Sequence, residues 1–343
     1  MKNEISILII HTGGTIGMVK DEETGSLHPV RQEELFDIIP MLNQFDCNIE
    51  FHSFSPLMDS SNMNPGYWIQ MVEVIEKNYE KYDGFVILHG SDTMAYSASA
   101  LSFMLENLNK PVVFTGSQLP LGMLRTDGRE NLVTSIEIAA AYEEGTPVVP
   151  EVSIYFENQL LRGNRTYKFN AEHFNAFQSP NYPALADIGI DIKYHPNNIL
   201  KPNFKNLRAH KELDNNVAIL KLFPGISPRA VEAVISIPGL KGIVLETYGT
   251  GNAMSDRWFL DMLTETVENE IIFFNVTQCQ AGKVDIGKYQ TSIELGKIGV
   301  ISGYDITTES AITKMMYLLG AGFSGIELKR LLVKPLRGEM TTL

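Results

Sequence analysis

The sequence predicts an α/β protein with a larger N-terminal domain on a parallel sheet and a smaller C-terminal α/β domain. Three observations carry that reading. Buried-type apolar runs recur along the chain, as in ILII at 7–10, FVIL at 85–88 and VVF at 112–114, and each precedes a stretch of helical period. The runs end in Gly, Ser, Thr or Asp rather than in tight hairpin dipeptides, so the connections are crossovers between parallel strands. Finally, 343 residues exceed one ordinary core, and the alternation breaks at 178–212, a stretch with four prolines, before it restarts. We place the domains at 1–188 and 214–343, with 189–213 as a linker.

Taken in order, the first strand covers 5–10 and runs into Gly13 and Gly14, where the chain turns sharply and holds Thr15 at a cleft floor. Residues 19–30 are polar and carry Gly25 and Pro29, which reads as a loop over that cleft. A helix follows over 31–43, then a strand over 49–54, with Asp59, Ser60 and Ser61 just past its carboxyl end. Asn64 and Pro65 open a helix over 65–82, as cap and first helical residue. The next strand, 85–90, leads into Gly90, Ser91, Asp92 and Thr93 and a helix rich in small residues from Ala95. A fourth unit has its strand at 111–118 and its helix at 127–142. Residues 152–168 read as a hairpin or bulged strand broken at Gly163. In the second half, strands are expected at 217–223, 242–249, 271–278 and 298–305, and helices after Ser227 and over 256–268 and 307–319.

Composition narrows the function. Hydrophobic residues make up 44% and charged residues 20%, the balance of a chain that folds throughout. The net charge of −13 opposes a nucleic-acid partner, because phosphate backbones are bound by clustered Lys and Arg. The basic run Lys329, Arg330, Lys334 and Arg337 reads as a solvated helix face. Cys47 and Cys279 are too few for a disulfide framework and have no zinc spacing, which fits a reducing compartment. The amino terminus reads as a strand rather than a signal peptide, and no segment approaches the roughly 18 to 20 apolar residues of a membrane span. A cytoplasmic protein is expected, with no membrane partner.

The carboxyl-end loops carry the chemistry. Gly13, Gly14 and Thr15, then Asp59, Ser60 and Ser61, then Gly90, Ser91, Asp92 and Thr93 fall on one sheet edge, with Gly116 and Ser117 as a fourth group. Small ligands of open sheets bind at that edge, and hydroxyls, carboxylates and glycine-freed amides suit acyl transfer. Rival chemistries lack their residues. TGGTIG and GTGNAM miss glycines of the dinucleotide fingerprint, no GxxxxGK(S/T) or GxSxG occurs, and the seven histidines show no HExxH spacing. No cofactor and no metal is expected, and His89 at its strand end reads as a structural hydrogen-bonder.

TGGTIGM at 12–18 together with ILHGSDTMAYSASALSFMLENL at 87–108 closely resembles the bacterial-type L-asparaginases, in particular their cytoplasmic type I group. TGSQLP, RGNRT, TYGTGNA and TQCQAGKVD extend the likeness over almost the whole chain. The resemblance implies a flavodoxin-like larger sheet and hydrolysis of asparagine to aspartate and ammonia through an ester on Thr15. Ser91, Asp92 and Lys168 correspond to the family's second catalytic set, with Ser91 replacing a threonine. A carboxylate beside Lys168 favours the ammonium form, so the lysine either is desolvated enough to act as a base or only orients Ser91. For binding, the resemblance implies Ser60, flanked by Asp59 and Ser61, at the substrate carboxylate and Asp92 at its ammonium. The N–H groups of Ser91 and Ser117 would form the oxyanion site, and Asn252 would come from a second subunit of a homodimer or homotetramer. Two departures stand out. Leu27 occupies the place of a loop tyrosine, for which Tyr304 is the candidate replacement. Glu246 and Tyr167 replace an arginine and a threonine that hold an effector asparagine in some members, which implies hyperbolic kinetics. Mixed glutaminase activity and a catalytically weak amino-acid-binding protein are the alternatives.

Overall fold

The run at Ile5–Ile10 demands apolar cover on both faces, and the computed structural model gives it a central place. Residues 5–20, 27–287 and 290–342 are described. The chain forms two compact units, 1–211 and 212–343. In the first, β1 (Ile5–Gly13) lies between β2 (Cys47–Met58) and β3 (Gly84–Leu88), followed by β4 (Val112–Thr115) and β5 (Val152–Phe156), all parallel. The chain order across these strands is 2-1-3-4-5, the flavodoxin-like arrangement, which reverses beside β1 and opens a crevice at the strands' carboxyl ends. Ile7, Ile9, Val86, Leu88 and Val113 fill the core with Leu132, Ile136 and Tyr155.

Helices α1 (Gln32–Ile38), α2 (Pro65–Asn78), α3 (Met94–Met104) and α4 (Gly128–Ala139) connect these strands or precede them. Asn64 accepts the Gly66 N–H at 3.0 Å, so the expected cap of α2 is present. The helix expected over 31–43 is split. Pro40 lacks an N–H and drives Ile39 out of helical geometry, and a 3-10 turn, Pro40–Gln44, completes the segment. In the expected loop at 19–30, Met18–Lys20 pairs antiparallel with Leu27–Pro29, while 21–26 lie outside the described residues.

Past β5 the expected hairpin of 152–168 is present: it turns at Glu157, whose φ is 60°, β6 (Gln159–Arg162) returns antiparallel, and the strand breaks at Gly163, where Gly163–Arg165 form a 3-10 turn. β7 (Ala186–Ile188) just before the expected linker 189–213 and β8 (Ile192–Tyr194) within it extend the sheet to eight strands, and Arg208–Ala209 pairs with Leu105–Glu106. The linker stretch shows no hydrophobic period because side-chain to backbone bonds hold much of it. Leu200 N–H donates to Glu151 at 2.7 Å, and Asn109 accepts from Asn203 and Phe204. Glu151 is itself locked to buried Arg162 at 2.6 Å.

The second unit has a parallel sheet of β9 (Val217–Lys221), β10 (Gly242–Thr247), β11 (Ile272–Thr277) and β12 (Ile301–Ser302). Helices α5 (Pro228–Ile235), α6 (Arg257–Glu268), α7 (Gln290–Ile298), α8 (Thr308–Gly320) and α9 (Gly325–Leu332) complete it. Leu222, Val231, Ile243, Leu245, Phe259, Leu263 and Phe273 make its core. The chain's last residues are pinned by a fully buried pair, Lys314–Glu339 at 2.6 Å, whose ammonium also donates to the carbonyls of Leu332 and Lys334. Among the described residues no helix is long and apolar enough to cross a membrane.

Candidate active site

Three strand ends of the first unit meet through backbone, and glycine is what lets them. Gly14 has a φ of +84°, and a Cβ there would lie 2.4 Å from Gly90 N; a Cβ on Gly90 would lie 2.4 Å from Ser60 Oγ. The contact is reinforced by hydroxyls. Thr93 donates to the Ser60 carbonyl at 2.7 Å, and Thr12 donates to that of Leu88 at 2.9 Å. The β1, β2 and β3 loops are thereby held as one wall.

That wall encloses an open cavity of about 650 Å³ lined by Thr15, Asp59, Ser60, Ser91, Asp92 and Lys168, together with Gly13, Gly14, Met18, Leu57, Met58, Gly90, Gln118 and Ala171. Thr15 opens a 3-10 turn and is exposed. Lys168 arrives from a short ribbon in which Tyr167–Lys168 pairs with Phe177–Gln178. Its Nζ lies 2.6 Å from Asp92 Oδ1 and 2.9 Å from Ser91 Oγ, so one ammonium links the carboxylate and the hydroxyl. The Lys168 side chain is 18% exposed and that of Asp92 64%, which leaves the carboxylate open to a ligand from the cavity side. Ser91 Oγ accepts from Lys168, and its own proton remains to be donated.

Asp59 accepts the Ser61 N–H at 2.9 Å, and that bond holds its carboxyl below the ordinary aspartate range. Asp59 thus stays charged while it shapes the turn that presents Ser60.

Not every expected residue reaches the cavity. The Ser61 N–H is engaged with Asp59, and Ser61 is not among the lining residues. Ser117 is buried and its hydroxyl donates to Leu119 O at 2.6 Å, so any role left to it is that of its N–H. Asn252 and Tyr304 belong to the second unit. The former sits in a turn closed by a bridge to Tyr248, and the latter has a φ of 52°. Glu246, also in the second unit, accepts from Thr308 at 2.7 Å and lies 3.3 Å from Lys221. Tyr167 contacts Gln178 at 3.4 Å.

Leu57 and Met58 follow the second strand onto the expected edge, whereas reading by sequence did not single out Gln118, Met18 and Ala171, which also line the cavity. Gln118 had a signal, since it follows Ser117 inside TGSQLP. Ala171 had none, because only the path of the ribbon around Lys168 brings it in.

No group of three or more His, Cys, Asp or Glu among the described residues is placed to hold a metal ion. His11 and His89 lie behind the wall, and burial pushes each imidazole down to about 4.

The chain is similar to known proteins over almost its whole length. Residues 6–200 match the family described as Asparaginase, N-terminal, and residues 216–332 match the Glutaminase/Asparaginase C-terminal domain. The chain is 42% identical to L-asparaginase 1 of Escherichia coli over 339 residues, 98% of each chain. It is 40% identical to the 60 kDa lysophospholipase of Mus musculus, across 99% of this chain and 63% of that protein. The crystal structure of L-asparaginase I from Vibrio cholerae superposes with a TM-score of 0.89 at 41% identity, covering 99% of this chain and all of the other. With both family domains matched in sequence and the sheet order to go with them, the chain belongs to the asparaginase family.

Proposed function

We infer that the protein hydrolyses L-asparagine to L-aspartate and ammonia. One observation carries the reading. The Lys168–Ser91–Asp92 linkage and the exposed hydroxyl of Thr15 line the same polar cavity. The Thr15 hydroxyl attacks the side-chain carboxamide carbon, an ester forms, ammonia leaves with a proton, and water releases aspartate. Asp92 receives the substrate's α-ammonium and Ser60 its α-carboxylate. Asp59 keeps the Ser60 turn in shape, with Ser61 as its partner in that turn. The N–H groups of Ser91 and Ser117 receive the oxyanion. The 2.6 Å contact to Asp92 favours Lys168 as the group that orients Ser91 and stabilises charge, rather than as the base that activates Thr15.

Asn252 completes the pocket of a neighbouring copy, so the active form is a homodimer or homotetramer in the cytoplasm. Glutamine is one methylene longer, a difference a pocket discriminates by about 1 to 3 kcal/mol.

The test is kcat/KM for asparagine and for glutamine on the purified protein, with mass spectrometry of the quenched enzyme. A mass increase on Thr15 with asparagine in excess is expected. Full ammonia release by Thr15→Ala would overturn the reading, and equal kcat/KM for the two amides would make the enzyme a mixed glutaminase-asparaginase.

A further inference from the structure

In the reading above, which this inference rests on, Ser91 and Ser117 supply the two N–H groups that face the developing oxyanion. Neither N–H is engaged in a hydrogen bond among the described residues. What holds them lies on the far side of each peptide plane. A peptide group is planar and trans, so its carbonyl and N–H point in opposite directions, and a donor fixed on the carbonyl aims the N–H. The Ser91 N–H shares its peptide with the Gly90 carbonyl, and His89 Nδ1 lies 2.6 Å from that oxygen. The Ser117 N–H shares its peptide with the Gly116 carbonyl, which accepts from Asn131 Nδ2 at 2.9 Å. His89 is 0% and Asn131 1% exposed, so both act from the core side.

Neighbours decide where the proton of His89 sits. An indole can only donate, and Trp68 Nε1 lies 2.9 Å from Ser97 Oγ. Ser97 Oγ is in turn 2.9 Å from His89 Nε2. The Gly90 carbonyl can only accept, so the neutral ring carries its proton on Nδ1, and its bare Nε2 accepts the one proton of the Ser97 hydroxyl, whose oxygen also accepts from Trp68. Burial favours that neutral ring. Asn131 is oriented in the same manner. Its Oδ1 accepts the Glu157 N–H at 3.0 Å, which turns Nδ2 toward Gly116.

We propose that His89, kept in its Nδ1–H form by Ser97 and Trp68, and Asn131 are positioning residues that aim the Ser91 and Ser117 N–H groups at the substrate carbonyl from behind. Donation to the carbonyl also polarises each peptide and strengthens its N–H as a donor. The effect belongs to the transition state, where the oxyanion forms, and little to ground-state binding.

The test uses the full-length enzyme, with kcat for asparagine and the Kd of L-aspartate measured in parallel. His89→Leu is expected to lower kcat about tenfold or more while the aspartate Kd stays within about threefold, and His89→Asn, whose amide N–H lies near the Nδ1 position, to recover part of the loss. Asn131→Ala is expected to follow His89→Leu. Nitrogen-15 spectra of histidine-labelled wild type should show His89 protonated on Nδ1 and bare on Nε2, and Ser97→Ala should lose that signature together with kcat. An Nε2-protonated ring in the wild type, an unchanged kcat in His89→Leu or Ser97→Ala, or equal losses in kcat and aspartate affinity would each overturn the proposal. If the wild type releases no ammonia from asparagine, the functional reading fails instead, and the nitrogen-15 spectrum still decides the tautomer by itself.

Discussion

The two units share a plan, a parallel sheet with helices, yet their carboxyl edges are used differently. In the first unit the edge groups keep hydrogen-bonding capacity for a ligand: Thr15 is exposed, and Asp92 is 64% exposed although Lys168 holds one of its oxygens. In the second unit more of the corresponding groups are satisfied internally, although Thr250 Oγ1 and Asn275 Nδ2 are buried without a partner among the described residues. Thr247 donates to Asn275 at 2.7 Å, Thr277 donates to the Gly249 carbonyl, and Gln278 donates to the carbonyls of Leu222 and Glu246. A sheet edge is therefore a place where a site can be built, and unmet donors and acceptors are what build it.

The contrast makes predictions. The largest effect is Thr15→Ala, which should lower kcat by about 10³-fold or more while the thermal midpoint stays put, as measured by ammonia release and calorimetry. Its counterpart in the second unit is Lys314→Met. That change strands Glu339 in the core, and should cost about 3 to 5 kcal/mol in urea denaturation while the protein that remains folded keeps its kcat. A drop in kcat for the folded fraction would break the distinction between an edge that reacts and a core that supports. Lys168→Met comes next, with a loss of about 10² in kcat, because the Ser91 hydroxyl loses its orienting donor.

Acidity sharpens the comparison because the titrating groups of the two units, fully buried in the first and half-buried in the second, oppose each other. His11 and His89 have folded values of about 4, lowered from 6.5 by burial. Between those values the unfolded chain binds more protons, so their stability contribution is complete above pH 6.5 and is lost as pH falls toward 4, about 3 kcal/mol for each ring as an upper bound. Glu309 in the second unit is raised from 4.5 to about 6, chiefly by burial. There the folded chain binds more protons, so stability is complete below pH 4.5 and falls as pH rises through 6, by about 2 kcal/mol as an upper bound. Urea titrations at pH 7.5 and pH 5 should show His11→Phe flattening the acid loss and Glu309→Gln adding stability only at the higher pH. A wild-type protein equally stable at both pH values would remove the His argument. The smallest effect is kinetic shape. With Glu246 already engaged by Thr308 and Lys221, the asparagine dependence should be hyperbolic, and a Hill coefficient clearly above one would contradict it.

Much of this was legible from residues alone, and the misses share a cause. The strands at 5–10 and 85–90 are located correctly, the second ending at Leu88, because fully buried parallel strands have few alternatives, and the cap at Asn64 because its partner is local. The order within 189–213 is not legible locally because bonds to Glu151 and Asn109, distant in sequence, hold it. In the site, Thr15, Ser91 and Asp92 stand in short motifs beside glycines and Ser60 in a polar run at a strand's carboxyl end, whereas Met18 and Ala171 carry no chemistry of their own to flag.

The sequence by itself determined the parallel α/β plan, the glycine-bearing turns at strand ends and the hydroxyl and carboxylate groups beside them, since these depend on neighbours a few residues apart. Only the tertiary structure decided that Lys168 stands 2.6 Å from Asp92, that Ser117 turns its hydroxyl away, and that His89 and Asn131 sit behind the Gly90 and Gly116 carbonyls. Those are contacts across strand order, and strand order is settled by which apolar faces bury one another, which no local stretch of the chain can specify.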